Sequence, residues 1–111
     1  MHLPVQIILR GIPGSPALEA AIREKSGRLE HVFDGILGCR VAVELAGRHK
    51  SQGGEFSVRV GLKLPGDEIV VDREHDQDVY VALREAFDAA RRQLEDFVSL
   101  RRSGRHSAVN G

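Results

Sequence analysis

The stretch EFSVRVGLKL (55–64) alternates without a slip: Phe56, Val58, Val60, Leu62 and Leu64 fall on one side, Arg59 and Lys63 on the other. A period of two is an extended strand with one covered face. A slip of one residue would turn every apolar side chain to water, so the stretch fixes its own register. Pro65-Gly66-Asp67 is a tight-turn signal,, and EIVVDRE (68–74) reads as the next strand. Upstream, CRVAVEL (39–45) alternates in the same way, with Val41, Val43 and Leu45 opposite Arg40, Ala42 and Glu44. AGRHKSQGG (46–54), polar and glycine-rich, is the loop between them. Three successive strands with short connections imply a mostly antiparallel sheet that needs a cover on one face.

Two helical patterns can supply that cover. VQIILRG (5–11) is a β-branched run closed by Gly11, a first strand,. Ser15 then suits an N-cap, with Pro16 at the first helical position and Glu19 favourably placed in the first turn,. Leu18, Ile22, Leu29 and Phe33 recur at helical spacing, widened by Ala21 and Val32,. Gly27 weakens this helix by roughly 1 kcal/mol relative to alanine and could allow close packing on a sheet. The second helix follows HDQD, with Asp76 or Asp78 as its cap. Its stripe is Val79, Leu83, Ala86, Phe87, Ala90, Leu94 and Phe97. After Arg102, SGRHSAVNG has no periodicity and reads as a flexible tail, so the domain is expected over 1–102 and the tail over 103–111,. The order β-α-β-β-β-α predicts a two-layer α+β domain with a four-stranded, mostly antiparallel sheet and both helices on one face.

The chain has 111 residues, enough for one domain with a modest core,. Its 16 basic and 16 acidic residues cancel, so any attraction to nucleic acid must come from a local patch,. One cysteine, Cys39, excludes an intrachain disulfide and reads as a small core residue rather than a reactive thiol,. No apolar run approaches the roughly 20 residues needed to cross a bilayer, and the N-terminus lacks a signal-peptide pattern. The expectation is a soluble cytoplasmic protein.

Signals for chemistry are sparse. His2, His31, His49, His75 and His106 show no metal-ligand spacing, and Cys39 has no partner cysteine,. GIPGSP is a turn and helix start, not a phosphate loop, and Ser15 has no local base to make it a nucleophile. Asp67, Glu68, Asp72, Glu74, Asp76 and Asp78 cluster around the fourth strand, a pattern more typical of a solvated turn and a cap than of a catalytic pair,. No catalysis and no cofactor are expected.

The basic residues are more informative. Arg23, Lys25 and Arg28 stand off the apolar stripe of the first helix, and Arg84, Arg91 and Arg92 off that of the second. Helices side by side on the sheet would bring them to one groove suited to phosphate contacts. Arg48, His49 and Lys50 in the strand-connecting loop could add to it. Glu24, Glu30, Glu85, Asp88, Glu95 and Asp96 dilute the same surfaces, so the residues alone favour a solvated helix face.

Taken in order, these segments resemble the ribosome hibernation promoting factor and ribosome-associated inhibitor family, also called sigma-54 modulation proteins, from about Val5 to Arg102. The first helix carries Lys25, Arg28-Leu29-Glu30 and Phe33-Asp34 followed by an apolar residue. The second carries Asp78, Tyr80, Ala82 and Leu83, then Asp88 and Arg92-Gln93-Leu94. GDEIVVDRE and VALREAFDAARRQLEDF look closest to the branch often followed by a cold-shock domain. The resemblance implies a fold similar to double-stranded-RNA-binding domains, no cofactor, and docking on ribosomal RNA of the small subunit in the messenger- and transfer-RNA channel, blocking translation under stress. It implies Lys25, Arg28 and Arg92 as RNA contacts, with Gln93 as a polar one; Arg23, Arg84 and Arg91 are further candidates from the basic faces. Asp78 and Tyr80 fit better as a cap and a ring packed near the sheet edge. Relatives usually carry a lysine where this chain has Ala89, and basic residues where it has Glu95-Asp96-Phe97-Val98. Arg91, Arg101 and Arg102 are nearby, partial compensations. DNA is not an expected partner. The rival expectation is a protein-interaction module that homo-oligomerises or binds a regulator through the open sheet face or an edge strand.

Overall fold

A computed structural model describes residues 3–46 and 55–110, with the side chains of 46, 73–76 and 103–110 outside the description. The elements run β1 (Val5–Arg10), α1 (Pro16–Val32), β2 (Gly38–Ala46), β3 (Glu55–Leu64), β4 (Asp67–Asp76) and α2 (Val79–Asn110). They form one sheet in the order β1-β2-β3-β4. β1 pairs parallel with β2, which requires the α1 crossover between them,. The other two pairs are antiparallel. The expected β-α-β-β-β-α architecture is therefore present as a mixed sheet.

Register explains why one face is covered. Ile7, Val41, Val60 and Val71 are cross-strand neighbours, as are Val5, Cys39, Leu62 and Ile69. Both rows sit in or against the core, which Leu18, Ile22 and Leu29 of α1 and Leu83, Ala86, Ala90 and Leu94 of α2 complete. The intervening rows, Gln6-Arg40-Gly61-Val70 and Ile8-Ala42-Arg59-Asp72, lie on the other face. There Arg59 and Asp72 form an exposed ion pair at 3.9 Å.

The ends of the elements follow local chemistry. Ser15 Oγ accepts from Leu18 N–H at 3.2 Å, the expected cap of α1. Asp78 caps α2: its Oδ1 accepts from Tyr80 N–H at 2.9 Å and its carbonyl from Val81 and Ala82 N–H. Pro65-Gly66 joins β3 to β4, with Gly66 at φ +73°. Proline holds the first turn position at negative φ, so the positive value falls on the second, where only glycine takes it without strain.

Three expectations change. The end of α2 lies later than the sequence suggests: its backbone is helical through Asn110. No proline interrupts residues 103–110, and a growing helix gains one hydrogen bond for each residue fixed. Gly27 admits no close approach, since a Cβ placed there would meet nothing within 4 Å. Tyr80 is half exposed, at 46%, rather than packed.

Candidate nucleic-acid interface

The two helices lie side by side and leave a groove between them. Lys25 and Arg28 form its α1 bank, Asp88, Arg91 and Glu95 its α2 bank, and Leu29, Val32 and Phe87 its apolar lining. Helical geometry selects these residues. On α1, Lys25 and Arg28 are three apart and share a flank. On α2, Arg84, Asp88, Arg91 and Glu95 follow at spacings of four, three and four, one line along the helix,. Arg102, eleven residues after Arg91, returns to that line within about 20°.

Not all the sequence-selected residues converge. Lys25, Arg28 and Arg91 meet at the groove, and Arg84 extends its line. Arg23 is exposed but turned roughly 200° from Lys25, on the far flank of α1,. Arg92 is exposed about 100° around α2 from Arg91,. Gln93 faces the β3–β4 hairpin, beside Asp67, Glu68 and Ile69. Arg48, His49 and Lys50 lie outside the described residues. Ala89 is only 3% exposed.

The groove's cations are restrained by neighbouring carboxylates. Arg28 Nη2 donates to Glu24 Oε2 at 3.3 Å and Arg91 Nε to Glu95 Oε2 at 3.2 Å, each pair one helical turn long. Among the described residues Lys25 has no ion pair. Such exposed pairs are worth about 0.2–1 kcal/mol, so a phosphate can displace the carboxylates at little cost. Lys25, Arg28 and Arg91 face Asp88, Glu95 and the Glu24 partner of Arg28, so further positive charge comes from Arg84 and Arg102 along the α2 line.

Sequence reasoning missed two features. Arg102 belongs to the Arg84–Arg91 line, which its spacing of eleven shows. Arg101 folds onto Phe33 and Phe97, with its guanidinium carbon 5.5 and 5.6 Å from the two ring centroids. No pattern in the chain announces that contact between distant segments. Cys39 sits apart from the groove in the core, as expected: its Sγ lies 3.7 Å from Ser26 Oγ, which donates to Ile22 C=O at 2.8 Å. Burial pushes the thiol above its ordinary value of 9.0, with the Ser26 hydrogen bond pulling the other way.

A four-stranded mixed sheet, two helices on one face and a cationic groove between them define a small α+β domain whose helical side can meet a polyanion. The sequence profile of the Sigma 54 modulation protein / S30EA ribosomal protein family matches residues 5–101. The chain belongs to that family, and so to a group of ribosome-associated proteins that regulate translation. A ribosomal subunit interface protein from Coxiella burnetii shares the fold, with a TM-score of 0.74 and 24% identity over 89% of this chain and 99% of that one. The N-terminal domain of Thermus thermophilus Protein Y gives a TM-score of 0.67 at 26% identity, covering 87% and 99%. No curated protein matches the chain. Among the described residues no helix is long and apolar enough to cross a membrane.

Proposed function

We propose that the protein docks through its helix pair on ribosomal RNA of the small subunit, in the channel used by messenger and transfer RNA, and inhibits translation by occupying it. The observation that carries this reading is the convergence of Lys25, Arg28 and Arg91 on one groove in a chain of zero net charge. Family membership and the fold shared with a ribosomal subunit interface protein support it. The inhibition is steric. The side chains bind phosphate and displace condensed counterions, and the folded body fills space that the RNAs need.

Four or five phosphates neutralised by Lys25, Arg28, Arg91, Arg84 and Arg102 predict that log K falls with log[salt] at a slope of about −3 to −4.5. The test is co-sedimentation with purified small subunits across a salt series, for wild type and for Lys25→Ala/Arg28→Ala/Arg91→Ala. Saturable binding that weakens with salt is expected, with the triple variant weaker and its slope shallower by two to three, about 0.7–0.9 per lost contact. A folded wild type that fails to bind at low salt would overturn the proposal.

A further inference from the structure

At its far end the interhelical groove opens into a second cleft, between the C-terminus of α1 and the later turns of α2. Glu30, Phe33, Asp34, Arg101 and Arg102 line it, and His31 and Val32 line both clefts. Arg101 falls where the buried α2 line Phe87–Leu94 would next repeat, seven residues on, and there the chain carries a cation instead of an apolar side chain. Phe33 and Phe97 meet edge to face, with centroids 5.5 Å apart, and the guanidinium lies against both rings. Among the described residues Arg101 makes no ion pair, unlike Arg28 and Arg91.

We propose that this cleft is a slot for one unpaired RNA nucleotide, with Arg101 as the plane on which its base stacks. The inference rests on the proposed ribosomal RNA docking and specifies a further contact of that surface. Its lining separates a base from a bare phosphate. The guanidinium carbon sits 5.5 and 5.6 Å from the two ring centroids, and unpaired bases stack on guanidinium planes. The carboxylates of Glu30 and Asp34 and the carbonyls ending α1 accept hydrogen bonds, which suits the amino and imino groups of a base edge. A phosphate alone would meet those carboxylates and the negative end of the helix dipole. Arg102, on the Arg84–Arg91 line, is placed for the nucleotide's own phosphate.

The discriminating variant is Arg101→Lys, which keeps the charge and loses the plane. Binding of the full chain to purified small subunits is measured over a salt series for wild type, Arg101→Lys, Arg101→Gln and Lys25→Ala/Arg28→Ala/Arg91→Ala. Thermal unfolding checks that each is folded. Loss of one stacked base lowers affinity on the order of ten-fold. Both Arg101 variants should show that loss, the lysine variant with an unchanged salt slope and the glutamine variant with a slope reduced by about one. Arg101→Lys binding like wild type would overturn the slot and leave a simple charge contact. Both Arg101 variants binding like wild type while the triple variant fails would overturn the slot and leave the docking proposal standing. A wild type that does not bind would overturn both.

Discussion

Removing acid from the groove should strengthen binding, and the structure sets the size of the gain. Arg91 is held by Glu95 at 3.2 Å and Arg28 by Glu24 at 3.3 Å, both pairs exposed and both within one helix. In the first pair the cation precedes the acid, the less favourable order against the helix dipole. Each pair contributes about 0.3–0.5 kcal/mol, and a phosphate that takes the arginine must first replace that interaction. In Glu24→Gln/Glu95→Gln the competition disappears, which returns about 0.6–1 kcal/mol to binding, or roughly three- to five-fold in affinity. Two fewer negative charges beside the RNA add to this at low salt and fade as screening grows. The same substitution removes about the same energy from folding, so the protein should unfold only a few degrees earlier. Fluorescence anisotropy of labelled protein against purified small subunits, at two salt concentrations, reads the effect. Unchanged or weaker binding by the folded double variant would refute the assignment of the groove as the RNA-facing surface.

Other consequences concern the scaffold. Leu94 is 0% exposed beneath α2, and Leu94→Ala should cost about 3–5 kcal/mol through lost burial and a residual cavity, seen in urea unfolding as a lower midpoint. Gly27→Ala adds a methyl group in open space. It should stabilise α1 by up to about 1 kcal/mol, raising the melting temperature by several degrees with ribosome binding unchanged. The Cys39 thiol is held above its ordinary 9.0 by burial. The unfolded chain therefore releases that proton first, and stability should fall as pH rises through 9.0 toward the folded value. Cys39→Ala should flatten that decline in unfolding measurements between pH 8 and pH 10 buffers, and the native thiol should react slowly with a thiol reagent until denaturant is added.

The fold was legible because its signals are local and agree. Strict alternation over 55–64 set the covered face, Pro65-Gly66 set the hairpin, Ser15 set one helix start and Asp76 or Asp78 the other, and both apolar stripes pointed at one core. The groove was legible only in part. Lys25 and Arg28 could be read as groove residues once α1 had a neighbour, but which flank of α2 meets α1 depends on packing. That single rotation puts Arg91 in the groove and Gln93 beside the hairpin. Ser26, buried beside Cys39, interrupts an otherwise apolar stripe and is readable only from its hydrogen bond to Ile22. The Phe33–Phe97–Arg101 cluster joins segments more than sixty residues apart, and no periodicity carries such a contact.

The rotation of α2 also decides what the departures from the family pattern mean. Ala89, Gln93 and Asp96 are spaced by four and three, so they form one line on the flank that faces the hairpin. Glu95, another of those departures, lies on the groove line instead. Arg84, Arg91 and Arg102 form the opposite line, beside α1. These departures therefore fall on both flanks, with Arg92 between the two lines. If RNA meets the α1-facing line, Arg91→Ala removes a contact backed by Lys25 and Arg28 across the groove. Arg92→Ala then removes a charge with no described cation opposite. Losing one phosphate contact reduces the salt slope by about 0.7–0.9, so the expectation is that reduction for Arg91→Ala and little change for Arg92→Ala, measured on small subunits over the same salt range. The reverse order would put the RNA on the outward face of α2 that carries Arg92, about a quarter turn from the groove line.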